Sequence, residues 1–391
     1  MIQADTLKPG WQIWRFDQIA TNVNDRINDP SKAETEYYVG LEHLDSDSLK
    51  IRRWGSPSDV EATKLCFRKG DIIFGRRRVY QRKVAVADFD GICSAHALVL
   101  RAKPEVILPE FLPFFMQSDV FMERAKAISV GSLSPTINWK TLAKEEFALP
   151  PLKDQEKLLK VAVSLRENLQ AYDNTVITGY TLENAWLKNR LEKISKMSPI
   201  ARATEVLEHL TVGIVVKPAK WYVDPPNGVP ALRSINVQPH KMNFNDLVYI
   251  SLEGHSIHEK SQLISGDVVI VRTGRPGDAA VIPEGLGLLN CIDLIIARPK
   301  SCLLPTYLAA VINSPFGRKQ IAKGIAGTAQ QHFNVGSFKD LKFPLPPIEE
   351  QRSFITEYDL ISQTINKLTL RYEQNKALYR SALQKLFLEK E

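Results

Sequence analysis

Cysteine is scarce in this chain: four in 391 residues, Cys66, Cys93, Cys291 and Cys302, and no C-x-x-C pair. That spacing supports neither a disulfide framework nor a zinc site, and it predicts reduced, buried thiols in a cytoplasmic protein. No run of eighteen apolar residues occurs, so no helical membrane span is expected. The opening Met1-Ile2-Gln3-Ala4-Asp5 lacks a basic and then apolar stretch, so no signal peptide is read. No G-x-x-x-x-G-K-[ST] phosphate loop is present, and Gly274-Arg275-Pro276-Gly277 is not followed by a lysine and a hydroxyl.

What is present is a globular composition, 44% hydrophobic, with a net charge of +7. The length suits two to three domains, each able to bury a core. The positive balance permits a polyanionic partner without proving one. The dominant feature is a duplication. Gly70-Asp71 recurs as Gly266-Asp267, a shift of 196 residues, and the same shift relates Ser118 to Ser314 and Asn138 to Asn334. It also relates Leu149-Pro150-Pro151 to Leu345-Pro346-Pro347, and Gln155 to Gln351. A period this long marks a duplicated domain, not a solenoid repeat. Upstream of Gly70 the match fades.

Each copy opens on a variable stretch, 1–65 and roughly 200–262. A glycine-aspartate turn then leads into a β-branched strand, Ile72-Ile73-Phe74 or Val268-Val269-Ile270-Val271. Further strands are expected at Lys83–Ala87 and Ala95–Leu100, matched by Ala279–Ile282 and Cys291–Ile296. One helix is expected from Pro109 to Ala127, and its partner from Pro305 to Lys323, with proline suited to the first turn. After Leu-Pro-Pro comes the clearest periodicity. Leu158, Ala162, Leu165, Leu169, Tyr172 and Val176 are spaced 4-3-4-3-4, as are Phe354, Tyr358, Ile361, Ile365, Leu368 and Tyr372. Such a seam suits helices that pair along their length. At about 40 residues it would span roughly 60 Å, more than a domain of this size needs. The alternative is a surface helix packed on its own domain. The expected fold is mixed α/β. Two similar globular domains are separated by two long helices packed as an antiparallel coiled coil, with pseudo-twofold symmetry.

Two variable domains, each followed by Leu-Pro-Pro and a long helix, resemble the specificity subunit of Type I restriction–modification enzymes. The opening Leu7-Lys8-Pro9-Gly10-Trp11-Gln12-Ile13 also resembles the start of such subunits. The second copy has Ala203-Thr204-Glu205-Val206-Leu207 there, without the tryptophan. The resemblance implies target recognition domains at 1–150 and 198–346, with helical spacer regions at 151–197 and 347–391. Each domain would read one half of a bipartite site in double-stranded DNA. The helices would fix the gap and dock two modification subunits, which bind S-adenosylmethionine and methylate adenine. Two restriction subunits, using ATP and magnesium, can join the assembly. The chain itself would hold no cofactor and no metal, and would perform no chemistry.

The residues agree with that last implication. Asp224-Pro225-Pro226-Asn227 has the outline of an amino-methyltransferase motif, but Asn227 stands where the base-stacking aromatic would, and no glycine-rich cofactor loop precedes it. It reads as a proline-rich loop. His255 and His258 lack a third ligand nearby in sequence, so a metal site is not expected. A binding role without catalysis remains, either on DNA or, in the alternative, as a scaffold for proteins. A subunit of a methylation-only or phage-exclusion system is a further alternative.

The strongest DNA-contact candidates lie in the loop after the first strand. Arg76, Arg77, Arg78, Tyr80, Gln81, Arg82 and Lys83 join five cations, one aromatic and one amide within eight positions. Arginine binds phosphate or guanine, and glutamine reads adenine. The equivalent loop carries Arg272, Thr273 and Arg275. Second come the hydroxyls and amides before Leu-Pro-Pro: Ser132, Ser134 and Thr136, and Gln330, Gln331 and His332. Asn138 and Asn334, identical in both copies, are expected to cap the following turn. Third are two basic–aromatic clusters, Lys50, Arg52, Arg53 and Trp54, and Lys217, Lys220 and Trp221, for which a solvated surface is equally expected.

Overall fold

A computed structural model describes residues 7–326 and 332–388. The chain divides into two compact units. The first comprises residues 1–173 and 370–391, and the second Asn174–Thr369. Each long helix therefore contributes to both. The helix Leu152–Met197 gives its first part to the first unit, and the helix Ile348–Phe387 gives its last part.

The first unit is built on a four-stranded antiparallel sheet in the order Ala20–Val23, Ala97–Ala102, Ile72–Gly75, Val84–Val86. The second unit repeats that order with Leu207–Val212, Leu294–Pro299, Val268–Val271 and Ala279–Val281. The central strands are buried on both faces, which explains their continuous β-branched and aromatic runs. In the first unit one face packs on helices and includes Phe74, Phe115, Phe121 and Phe147. The other face, with Ile73, Ala85 and Val99, meets a second sheet formed by Arg26–Ile27, Lys64–Phe67, Gly91–Cys93 and Tyr38–Val39. The second unit has the same two-sided core around Ile270 and Val269.

Three sequence expectations are corrected. The stretch from Pro109 to Ala127 is not one helix but two, Leu112–Gln117 and Asp119–Ala127. Its counterpart splits into Pro305–Asn313 and Pro315–Lys323. The break falls at Ser118 and Ser314, whose hydroxyls cap the second helix by accepting from the amides of Phe121 and Gly317. Of the capping asparagines, Asn334 accepts from the Ser337 amide at 2.9 Å, whereas Asn138 makes no side-chain cap. The four thiols are free, but they are not all buried: Cys302 is exposed. The second copy's faint beginning is also resolved. Ile200–Arg202 pairs with Lys342–Pro344 as Gln12–Arg15 pairs with Glu146–Leu149. Both copies then turn alike, with the Arg15 amide donating to Gln18 and the Arg202 amide to Glu205.

All twelve seam residues are buried or half-buried. In the first unit Leu158, Ala162, Leu165 and Leu169 share a core with Tyr379, Leu383 and Phe387. In the second, Trp186 lies 5.2 Å from Phe354 and Arg190 pairs with Glu350 and Glu357. Gly179 faces Ile365 there, so the two helices run antiparallel within that unit.

The Leu-Pro-Pro signal now has a mechanism. Gln155 is fully buried, and its amide donates to the Val106 and Pro150 carbonyls while its oxygen accepts from the Leu108 amide, each at 2.9 Å. Gln351 makes the same three bonds to Cys302, Pro346 and Leu304. One side chain thus ties each helix start to the loop before Leu112 or Pro305, satisfying backbone groups that burial would otherwise strand.

Candidate nucleic-acid interface

The two groups of candidates, far apart in sequence, meet in space. In the first unit Arg77 and Thr136 form an antiparallel bridge. The Arg78 amide donates to the Pro135 carbonyl at 2.7 Å, and the Ile137 amide to the Arg76 carbonyl at 2.9 Å. In the second unit Thr273 and His332 form the same bridge, and the Phe333 amide donates to the Arg272 carbonyl at 3.0 Å. Loop and segment are thus joined identically in both copies. The backbone scaffold is common, and what varies is the side chains it carries.

Those side chains divide into free and engaged groups. Arg78 is exposed and its Nε donates to the Ser134 hydroxyl at 3.2 Å. Its backbone, at φ 57°, and that of Arg82, at φ 53°, are left-handed, bracketing the turn Val79–Gln81. That turn projects Tyr80, which is 53% exposed, and carries half-buried Gln81 beside it. Arg76 donates to the Ala95 carbonyl at 3.2 Å. No carboxylate pairs with Arg76, Arg77 or Arg78 among the described residues. Ser132 is exposed nearby, and Thr136 donates to the Ser134 carbonyl.

Arg82 and Lys83 serve the fold instead. Arg82 bridges Asp47 and Asp119, both at 2.8 Å, and reaches the Gln117 carbonyl. The Lys83 ammonium donates to the Leu41 carbonyl. Arg272, 10% exposed at its side chain, pairs with Asp293 at 2.7 Å and contacts His332 and the Phe333 carbonyl. His332 also meets the Thr273 hydroxyl at 2.9 Å. Arg275 is exposed but lies 3.4 Å from Asp278 and donates to the Val237 carbonyl. Gln330 and Gln331 lie outside the described residues.

Of the third group, Arg52 and Arg53 both pair with Asp45, and Arg52 also reaches Asp173. Trp54 stacks edge-on against Tyr37 and Phe89, whereas Lys220 sits over the Trp221 ring at 4.6 Å. His255 is buried beside Asn290, and among the described residues no cluster of metal-ligating side chains occurs. Pro225–Asn227 is a single tight turn.

One residue that sequence reasoning missed is His96. The strand registers pair Gly75 with Ala97 and Val271 with Leu294, so the positions just before, His96 and Asp293, are equivalent. Their separation is 197 residues, not 196, and a comparison at fixed shift hides it. Burial, and then the nearby Arg77 and Arg76 guanidinia, hold the His96 imidazole below its ordinary pKa.

A family model described as the Type I restriction modification DNA specificity domain matches residues 59–176, which take in the arginine loop, the Ser132–Thr136 segment and the first Leu-Pro-Pro helix start. Over those residues the chain is similar to Type I DNA specificity domains, and the relatives it matches are named as Type I restriction enzyme specificity subunits. It is 28% identical over 168 residues to the Type I restriction enzyme EcoDI specificity subunit of Escherichia coli, covering 42% of this chain and 36% of that one. It is 26% identical over 201 residues to the putative type I restriction enzyme MjaX specificity subunit of Methanocaldococcus jannaschii, covering 49% of this chain and 46% of the other. The match thus spans less than half the length of each of these relatives. The fold is that of a chain solved in a study of complex assembly and conformational transition of the type I R-M system. The TM-score is 0.58 at 21% identity, over 97% of this chain and 98% of that one.

Proposed function

We propose that this chain is the DNA-reading specificity subunit of a Type I restriction–modification assembly. Each unit reads one half of a bipartite site in double-stranded DNA. The long helices set the spacing between halves and dock two modification subunits. Those partners supply S-adenosylmethionine chemistry on adenine, and restriction subunits, where present, supply ATP- and magnesium-dependent steps. The chain itself is a non-catalytic cytoplasmic binding subunit. No described helix is long and apolar enough to cross a membrane.

The observation that carries this reading is the loop-to-segment pairing repeated in both units, Arg77 with Thr136 and Thr273 with His332, on one backbone scaffold with different side chains. A duplicated scaffold holding unlike polar groups is what two unlike half-sites require. Base edges are distinguished by hydrogen-bond pattern, while phosphate contacts fix position.

The test is binding of the full chain, with its modification partner, to duplexes in which each half of the recognised site is altered in turn. Arg78→Ala and Tyr80→Ala should relax discrimination at one half only. Equal loss at both halves, or none, would contradict the two-unit reading. Arg272→Ala is a poorer probe, because it also removes a buried ion pair.

A further inference from the structure

The strand registers and the repeated bridge define four equivalent positions in each unit. In the first they hold Arg76, Arg77, His96 and Thr136, and in the second Arg272, Thr273, Asp293 and His332. The same corner of the fold therefore carries, in one unit, two guanidinia with no carboxylate partner among the described residues. In the other it carries one guanidinium and one carboxylate 2.7 Å apart, with a hydroxyl and an imidazole bonded to them.

We infer that the residue before the last sheet strand, His96 in one unit and Asp293 in the other, sets the electrostatic mode of each reading surface. The first unit then anchors phosphates through free arginines, and the second presents a neutral, hydrogen-bonding surface. This inference rests on the DNA-reading function proposed above and adds a division of labour to it. Asp293 has two effects on its unit. Its carboxylate neutralises Arg272 and accepts from the Thr273 hydroxyl at 3.4 Å, so it both removes a cation and orders the group. The remaining exposed cation of that loop, Arg275, also faces a carboxylate, Asp278. In the first unit, by contrast, the position equivalent to Asp278 is Lys83, since Gly75 bonds the Lys83 carbonyl as Val271 bonds that of Asp278, and Arg76, Arg77 and Arg78 have no carboxylate partner among the described residues.

Phosphate contacts release counterions, so each one adds about 0.9 to the slope of log affinity against log salt on duplex DNA. The experiment measures that slope for the full chain on a mixed-sequence DNA duplex, by fluorescence anisotropy across roughly 50 to 200 mM salt. Arg77→Ala should flatten the slope by about 0.9, and Thr273→Ala should leave it unchanged. Asp293→Asn should steepen it by about 0.9, because Arg272 loses its counter-charge. The reciprocal change His96→Asp, on an exposed turn where folding is not at stake, should flatten it. Binding whose slope ignores both His96→Asp and Asp293→Asn would overturn this inference and leave the DNA-reading function standing. Absence of duplex binding by the unaltered chain at every salt would overturn both.

Discussion

Consider Gln155→Ala. The side chain is fully buried and satisfies three backbone groups of two separate segments, the Leu108 amide and the Val106 and Pro150 carbonyls. Truncation leaves one buried N–H and two buried carbonyls without a partner and opens a small void. A stranded buried donor costs about 1–3 kcal/mol, and the carbonyls and the void add to it. A total near 3 kcal/mol is expected, more than a hundredfold in the local folding equilibrium. Gln155→Glu keeps the shape but faces a carboxylate toward two carbonyls, and should cost at least as much. Because Gln351 makes the same three bonds, Gln351→Ala should match Gln155→Ala within about 1 kcal/mol. Urea denaturation measures the loss and amide hydrogen exchange localises it. Exchange at Leu108 should rise in the first variant and at Leu304 in the second. A loss under about 1 kcal/mol, or unchanged exchange at both amides, would refute the clamp.

Other expectations follow from the same contacts. Burial holds the His240 imidazole down at about 4 from 6.5, against the Tyr358 ring at 5.0 Å. A depressed imidazole favours folding above 6.5, and that contribution disappears as pH falls from 6.5 through about 4. His240→Gln should therefore flatten the pH dependence of the second unit's urea midpoint across that window. Asp119→Ala should destabilise the first unit by about 1–2 kcal/mol through the loss of its pair with Arg82, without changing half-site discrimination. Inserting four residues near Tyr172 and four near Tyr372 adds about 6 Å of helix. The spacer of the recognised site should lengthen by about two base pairs, at roughly 3.4 Å each, and an unchanged spacer in methylation mapping would remove the ruler role.

Much of the scaffold was legible because duplication and helical periodicity are strong local signals. The seam from Leu158 to Val176 and its partner from Phe354 to Tyr372 lie where the spacing put them. The helix break at Ser118 was not legible, since a serine within an apolar run signals a cap only when the chain turns there. The second copy's opening was hidden because Ile200–Arg202 keeps the strand pairing while losing the tryptophan. Within the candidate interface, the meeting of the arginine loop with Ser134 and Thr136 depends on tertiary pairing that sequence spacing cannot supply. Composition also treated all cations alike. Only the fold shows that Arg82 and Arg272 are held by Asp47, Asp119 and Asp293, whereas Arg77 and Arg78 have no acidic partner among the described residues.

The most direct test of the central claim is sequencing of adenine methylation in cells that carry this chain and its modification partner, beside cells lacking the chain. Two short, unlike half-sites separated by a fixed number of unread base pairs, appearing only when the chain is present, are the predicted result. A single contiguous motif, or methylation unchanged by loss of the chain, would contradict it.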